Sequence, residues 1–101
     1  MENMSKIILK GFIIVPETDL CAVQEELKNH KKLTLEEPGC IEFKVTQNES
    51  NPLRFDVYEE FKDKLSFDLH QARVRASRWG EVSVNVERHY ETMERVGWAE
   101  R

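Results

Sequence analysis

Residues 40–61 read CIEFKVTQNESNPLRFDVYEEF, and the alternation within this stretch decides the fold. Apolar and polar side chains alternate from Cys40 to Gln47 and again from Leu53 to Phe61, which is the period of a half-buried strand. The five residues between the two runs, NESNP, favour a turn. The stretch therefore predicts a β-hairpin. The second strand of the hairpin carries mostly apolar side chains on one face and Arg54, Asp56, Tyr58 and Glu60 on the other.

One strand and one helix are predicted before the hairpin. Lys6 to Val15 is rich in β-branched and aromatic residues and stops at Pro16, which indicates a strand that is apolar on both faces and central in a sheet. Thr18 or Asp19 can cap the helix that follows. The helix ends before the sequence EPG at 37–39, and its apolar stripe consists of Leu20, Val23, Leu27, His30 and Thr34.

A second helix is predicted after the hairpin, capped by Asp63 and ending at Gly80. Its main apolar stripe consists of Leu65, Leu69, Ala72, Ala76 and Trp79. The opposite side also carries residues at helical spacing, namely Phe67, His70, Val74 and Ser77. We therefore expect this helix to meet two surfaces. One is its own sheet, and the other is a pocket or a partner chain.

The chain is predicted to close with a strand and a polar tail. Val82, Val84 and Val86 alternate with polar residues up to Tyr90, which favours a last strand. Residues 91–101, with Met93, Val96 and Trp98, are expected to form a C-terminal tail. Residues 1–101 are thus expected to make one domain, with its core in 6–90.

The resulting order is β-α-β-β-α-β, the order of ferredoxin-like α+β folds, with a four-stranded antiparallel sheet and two helices on one face. The other face of the sheet is left uncovered. That face carries either Phe55 and Val57 or Arg54 and Tyr58. Because the first strand is apolar on both sides, we expect a second copy of the sheet to pack on this face and form a two-fold dimer.

Composition excludes several classes of protein. With 101 residues the chain fits one small domain. Its 15 basic and 19 acidic residues give a net charge of −4, which argues against nucleic acid as a partner. The longest apolar run is far shorter than the roughly 20 residues needed to cross a bilayer, so no membrane partner is expected. Free thiols at Cys21 and Cys40 fit a cytoplasmic protein.

Four short motifs follow one another at characteristic spacing: EPGC at 37–40, NPLRF at 51–55, YEEFKD at 58–63 and FDLH at 67–70. In this combination the chain resembles the antibiotic biosynthesis monooxygenase family over roughly residues 6–90. The resemblance implies a dimeric α+β barrel, in which two ferredoxin-like sheets pack face to face and each subunit holds a pocket between its sheet and helices. Members similar to this chain include oxygenases that oxidise quinols and anthrone-like polyketides with O2 and without metal or flavin. Others are haem-degrading enzymes or a sugar isomerase.

Two departures from the family pattern narrow the expected chemistry. Relatives that resemble the quinol oxygenases often carry a second histidine where this chain has Val74 and Arg75. Haem-degrading relatives place an axial histidine where this chain has Trp79 and Gly80. No phosphate-binding glycine loop and no histidine pair at metal spacing is present in the sequence, so no cofactor is expected.

Histidines are the first candidates for the site. His70, in the middle of the second helix, can take a proton from a phenol or quinol near neutral pH, because an ordinary histidine has a pKa of about 6.5. The alternative is a structural histidine bonded to a carbonyl group. His30 lies on the apolar stripe of the first helix, where a neutral structural imidazole is the commoner outcome and substrate binding is the alternative.

Other candidates lie on the hairpin and on the second helix. Tyr58 and Arg54 share one strand face, where they can orient an oxygenated aromatic ligand or, equally, make cross-strand or dimer contacts. Phe67 and Trp79 are expected to form walls of a pocket rather than to take part in chemistry. Glu59 falls on the apolar face of its strand and is expected to be paired.

The leading hypothesis is a small cofactor-independent monooxygenase that oxidises a quinol or another electron-rich aromatic with O2, with His70 as the base. A non-catalytic dimeric ligand-binding domain and a small-molecule isomerase on the same fold are the alternatives. RNA binding is disfavoured because the third strand carries carboxylates where phosphates would lie.

Overall fold

The computed structural model describes residues 5–96 of the chain. The strands are β1 (Ser5–Ile14), β2 (Cys40–Gln47), β3 (Arg54–Phe61) and β4 (Glu87–Val96). The helices are α1 (Leu20–Leu35), α2 (Lys64–Arg75) and the short α3 (Arg78–Val82).

The four strands form one antiparallel sheet in the order β2-β3-β1-β4. The central strand β1 pairs with β3 from Ile7↔Phe61 to Ile14↔Arg54, and with β4 on its other side. This order, with helices between the strands, is the ferredoxin-like α+β fold that the sequence predicts. The central position predicted for β1 is confirmed, and the side of β1 without helices carries Ile8, Phe12 and Ile14.

The hydrophobic core lies between the sheet and the helices. Phe43, Val45, Phe55 and Val57 are buried on the helix-facing side of β2 and β3, and they pack with residues such as Val23 of α1. The sequence left open which face of β3 is covered, and the structure shows that it is the Phe55 face. The face that carries Arg54 and Tyr58 is the one without helices.

The second predicted helix is wrong in its length. Asp63 caps α2 as expected, with Oδ1 accepting from the backbone N–H of Ser66 at 2.8 Å. The helix stops at Arg75 because the Ser77 hydroxyl donates to the carbonyl of Val74 and accepts from the N–H of Gly80, which caps the separate helix α3.

The face of α2 that packs on the sheet is the one with Phe67, His70 and Val74. Of the other stripe, Leu65, Leu69, Ala72 and Ala76 are exposed, whereas Trp79 is buried. Leu65 is 67% exposed and Leu69 is 62% exposed, and both border a cavity of about 400 Å³ on the outer side of the helix. Leucine spacing alone cannot distinguish the two faces when both are partly apolar.

The last strand begins later and ends later than predicted. Val82 belongs to α3, and Val84 is 69% exposed in the turn that follows. The backbone N–H groups of Ser83 and Val86 close this turn on the carbonyls of Trp79 and Ser83, which prevents an extended conformation. Strand β4 then continues through the expected tail as far as Val96. Trp98 lies outside the described residues.

The described part of the chain contains no helix that is both long and apolar enough to cross a membrane. Both cysteines are free, with Cys21 exposed and Cys40 half-buried.

At the start of α1, Asp19 occupies the N-cap position, but its side chain makes no capping hydrogen bond. A short 3-10 turn, Glu17–Asp19, precedes the helix instead.

Candidate active site

A cavity of about 390 Å³ lies between the helix-facing side of the sheet and the helices α2 and α3. Strand β3 contributes Glu59 to its wall, and β4 contributes Tyr90. Helix α2 contributes His70, and α1 and α3 contribute His30 and Trp79. The cavity therefore brings together polar groups from five different elements of the fold.

His70 is held in place by a carboxylate. Its Nδ1 lies 2.9 Å from Oε1 of Glu37, and the same carboxylate accepts a hydrogen bond from Nε of Arg73. Because a carboxylate that binds arginine is an acceptor, Nδ1 of His70 is the donor in this pair. In the neutral imidazole the other nitrogen, Nε2, is then an acceptor.

Glu37 reaches His70 because the end of α1 is fastened to α2. Nη2 of Arg73 donates to Oγ1 of Thr34 at 3.0 Å, which ties the last turn of α1 to α2. Gly39 lies so close to α2 that a Cβ atom placed on it would come within 2.0 Å of the Ser66 hydroxyl oxygen. The EPG sequence at 37–39 thus allows the chain to pass against α2 while Glu37 points toward His70.

Glu59 is the second titratable group of the cavity wall. It is only 7% exposed, and Oε1 makes no hydrogen bond with any described residue. That oxygen lies 3.7 Å from Nε2 of His70. Burial, and next the negative charge of Glu37, raise the pKa of Glu59 to about 7. Near neutral pH the carboxyl group therefore exchanges a proton readily.

Both cavity histidines are kept neutral. Burial lowers the pKa of His70, although Glu37 acts in the opposite direction. Burial, and next the nearby His70 and Arg73, lower the pKa of His30 to about 3. The His30 ring stacks on Trp79 with centroids 4.6 Å apart and planes within 2° of parallel, and its Nδ1 has no hydrogen-bond partner among the described residues.

Strand β4 and helix α2 form the remaining wall. Burial, and next the charge of Glu59, raise the pKa of Tyr90 to about 12, so its phenol stays protonated and can donate. The Arg88 guanidinium donates to the Ser83 carbonyl at 3.1 Å and to the Ser83 hydroxyl at 3.0 Å. Arg75 is exposed and lines the same cavity.

The structure brings together three of the predicted site residues, because His70, His30 and Trp79 all line this cavity. Phe67 does not line it. Its ring packs edge-on against Phe61 with centroids 5.8 Å apart, between α2 and the sheet.

Tyr58 and Arg54 also do not line the cavity, because alternation along β3 places them on the opposite face of the sheet from Glu59. The Tyr58 hydroxyl donates to Glu60 at 3.0 Å. Arg54 forms an ion pair with Asp56 and lies 3.8 Å above the ring of Phe12 on the neighbouring strand. Of these contacts, only the one between Arg54 and Phe12 joins two strands.

The roles of Glu37 and Arg73 in placing His70 do not follow from the sequence. Glu37 stands in the EPGC motif, but only the fold shows that it meets a residue 33 positions further on. The buried Glu59 did carry a signal, since a carboxylate on the apolar phase of a strand indicates an unusual environment. Arg73 of α2 and Arg78 of α3 do not form one basic cluster. Arg73 bonds Glu37, whereas Arg78 pairs with Glu81.

Across residues 5–96, no group of three or more His, Cys, Asp or Glu side chains is arranged to hold a metal ion.

Comparisons with known proteins agree with this architecture. The family model described as "Antibiotic biosynthesis monooxygenase" matches residues 7–82. No curated protein sequence matches the chain significantly. Among solved structures, a Nitrosomonas europaea protein named for that family is 17% identical, with a TM-score of 0.73 over 96% of this chain and 93% of its own.

Two further solved structures have the same fold. A Bacteroides thetaiotaomicron protein, also named for the family, is 17% identical with a TM-score of 0.74 over 92% of this chain and 89% of its own. A conserved protein of Methanosarcina mazei is 24% identical with a TM-score of 0.66 over 92% of each chain. At these identities the structural likeness establishes the fold.

Proposed function

Because the chain belongs to the antibiotic biosynthesis monooxygenase family, we propose that it oxidises a quinol or another electron-rich aromatic with O2 and needs no cofactor. The observation that carries the proposal is a neutral His70 that lines a cavity and whose Nδ1 is held by Glu37. A neutral imidazole oriented by a carboxylate is suited to act as a general base.

The first step is removal of a proton from the bound aromatic. Nε2 of His70 takes the proton from a phenolic hydroxyl or from an acidic C–H bond of the ring system. The imidazolium that forms is stabilised by the carboxylate of Glu37 next to Nδ1. The product of this step is an electron-rich anion bound in the cavity.

The second step is reaction of the anion with O2. For a substrate with a ring CH2 group, the carbanion passes one electron to O2, and the radical pair combines to form a C–O bond. The peroxide takes the proton from His70. Loss of the second C–H proton and cleavage of the O–O bond then give a carbonyl and water, so that CH2 + O2 becomes C=O + H2O. One oxygen atom enters the product and the other leaves as water.

The cavity suits a flat aromatic ligand. Its volume of about 390 Å³ lies within the range of small-molecule sites. The stacked pair of His30 and Trp79 supplies a rigid planar wall. Tyr90, protonated at neutral pH, is a donor for an oxygen atom that becomes negative during the reaction.

We further propose that the protein is a homodimer in which the uncovered sheet faces pack against each other. The support is the apolar character of that face, which carries Ile8, Phe12, Ile14 and Met93 beside charged residues. We also expect the protein to act in the cytoplasm, consistent with its two free thiols.

Oxygen consumption tests the proposed activity. The purified, chelator-treated protein is mixed with a panel of quinols and anthrones in an oxygen electrode, and a His70→Gln variant is compared with wild type. Loss of the general base is expected to lower kcat by about 100-fold or more. Asp68→Asn, an exposed substitution on the same helix, is the control and is expected to retain full activity.

Two outcomes would oppose the proposal. A His70→Gln variant that is folded by circular dichroism and loses less than twofold in activity removes His70 from the chemistry. Ligand binding without any turnover across the panel favours the non-catalytic binding domain.

An isomerase is the second candidate, because Glu59 and His70 together provide two proton acceptors at one cavity. Such a pair can remove a proton from one carbon and return it to a neighbouring one without O2. Turnover under argon, with deuterium entering the product from D2O, would favour this reaction over oxygenation.

A further inference from the structure

Two hydrogen-bond acceptors meet at the cavity wall with no donor between them. Oε1 of Glu59 and Nε2 of His70 are 3.7 Å apart, too far for a hydrogen bond with each other. Within residues 5–96 neither atom receives a hydrogen bond from another side chain or from the backbone. Both residues line the same cavity.

The acceptor character of both atoms follows from their neighbours. Nδ1 of His70 must carry the hydrogen because it faces the Glu37 carboxylate, and this leaves a lone pair on Nε2. The ionised Glu59 carboxylate only accepts. A buried acceptor without a donor has a free-energy cost of about 1–3 kcal/mol, so a ligand that supplies the missing donors gains affinity.

We infer that the cavity binds an aromatic compound with two adjacent hydroxyl groups, a catechol, one hydroxyl donating to Glu59 and the other to His70. This inference rests on the proposed function and narrows its substrate class. The two oxygens of a catechol are slightly closer together than the two acceptors. Two nearly parallel hydrogen bonds of about 2.7–2.8 Å can therefore form at once.

Other ligand chemistries fit the acceptor pair less well. A single hydroxyl has one hydrogen and leaves one acceptor unpaired. Hydroxyls placed meta or para on a ring are farther apart than the two acceptors. An ammonium group has enough hydrogens, but the guanidinium groups of Arg75 and Arg88 line the same cavity and repel a cation.

The wall contains several charged or titratable groups besides the acceptors. The groups around Glu59 are His70 from α2, His30 from α1, Glu37 from the segment after α1, and Tyr90 and Arg88 from β4. Binding is best measured at pH 8, where the Glu59 carboxylate is mostly ionised and the neutral His70 presents its lone pair.

The test is a binding titration by calorimetry under argon, so that turnover does not interfere. The probes are 4-methylcatechol, its monomethyl ether 2-methoxy-4-methylphenol, and methylhydroquinone. Wild type is expected to bind the catechol at least about tenfold more tightly than either other probe. In Glu59→Gln this preference is expected to fall below about threefold, since a charged acceptor is replaced by a neutral one.

Glu60→Gln is the matched control, because it is the same substitution at the next residue on the opposite face of the sheet. It is expected to keep the wild-type preference. Affinities for the three probes within twofold of one another in wild type would overturn the inference, whether or not the Glu59 variant folds. So would a folded Glu59→Gln protein that keeps the full preference.

Failure of this inference and failure of the proposed function are distinguishable. Preferential catechol binding under argon, with no oxygen uptake when air is admitted, keeps the binding assignment and removes the oxygenase. Oxygen uptake with quinols but no catechol preference keeps the oxygenase and removes the assignment.

Discussion

Glu59 and His30 lie on different walls of the cavity and change the stability of the protein with pH in opposite directions. The pKa of Glu59 is raised to about 7 by burial and by Glu37, so the folded state favours its protonated form. The pKa of His30 is lowered to about 3 by burial and by its charged neighbours, so the folded state favours the neutral ring. Both effects contribute, with opposite sign, to the pH dependence of the unfolding free energy of wild type.

Glu59→Gln is expected to become more stable relative to wild type as the pH rises from 4.5 to 7. Over that range the folded wild type holds a proton that the unfolded chain releases, so its stability falls as the pH rises. The difference in unfolding free energy is at most about 3 kcal/mol, at 1.36 kcal/mol for each unit of pKa. Urea unfolding at pH 5 and pH 8 measures it, and a pH-independent difference would contradict the assignment.

His30→Asn is expected to remove part of the acid sensitivity of the protein. In wild type the unfolded chain binds a proton at His30 below pH 6.5, and the folded protein does so only near pH 3, so stability is lost as the pH falls between these values. The variant loses the stacking of the His30 ring on Trp79, but its stability changes less with pH. Thermal unfolding from pH 7 to pH 4 shows the effect. The exposed His89→Asn control should follow the wild-type profile.

At the scale of the secondary structure, Gly11 permits the close pairing of β1 with β4. Its φ is +150°, and a Cβ atom there would come within 1.9 Å of the backbone oxygen of His89. No side chain fits this position without moving one strand away from the other. Glycine in the middle of a strand, ordinarily unfavourable, is required here by its neighbour.

Gly11→Ala is therefore expected to destabilise the protein by about 2 kcal/mol or more, through strain and loss of β1–β4 hydrogen bonds. Lys10→Ala, at the neighbouring exposed position, is the control and should change stability by less than about 0.5 kcal/mol. Chemical denaturation of both variants provides the comparison. Equal stabilities would show that β4 does not pair as described.

Local sequence patterns predicted most of these elements. Alternation located β2 and β3 nearly to the residue, and helical spacing located α1. The boundary between α2 and α3 depends on hydrogen bonds of the Ser77 hydroxyl, which compete with continuation of the helix and leave no trace in hydrophobic periodicity. The valines at 82, 84 and 86 mimic a strand, because alternation over five residues also fits a helix end and a turn in which Val84 is exposed and Val86 is buried.

At the scale of the whole molecule, one face of the sheet has no helices over it. Ile8 is buried there by its neighbours, while Met93 remains 37% exposed. Phe12 is sandwiched between Arg54 and His89, with its ring stacked on the imidazole at 4.6 Å. A mixed face of this kind, with an apolar centre and charged surroundings, is typical of protein interfaces.

Met93→Glu is expected to weaken the proposed dimer at least 100-fold, because it places a carboxylate between the packed sheets, opposite the apolar Ile8. Sedimentation equilibrium of wild type and variant measures the association. Leu65→Glu, on the outer surface of α2, is the control and should leave the dimer intact. A dimer lost with Leu65→Glu and kept with Met93→Glu would place the interface on α2 instead.

The candidate site combines what the sequence predicts with what only the fold supplies. His70, His30 and Trp79 were identified from their helical positions, and they do line one cavity. His70 contacts Glu37, which is 33 positions earlier in the chain, and Glu59, which is 11 positions earlier. Separation along the sequence does not reveal that these side chains are close in space. For Tyr58 and Arg54 the sequence left ligand binding and cross-strand or dimer contacts equally open, because strand alternation alone does not tell which face the helices cover.

The most direct test of the central claim, oxygenation without a cofactor, is the fate of labelled oxygen. The chelator-treated protein is given its best substrate from the quinol and anthrone panel under ¹⁸O2 in ordinary water, and the product is analysed by mass spectrometry. One ¹⁸O atom is expected in each product molecule and the other in water, with formation slowed about 100-fold in His70→Gln. Product that carries no ¹⁸O, or that forms equally fast under argon, would rule out oxygenation.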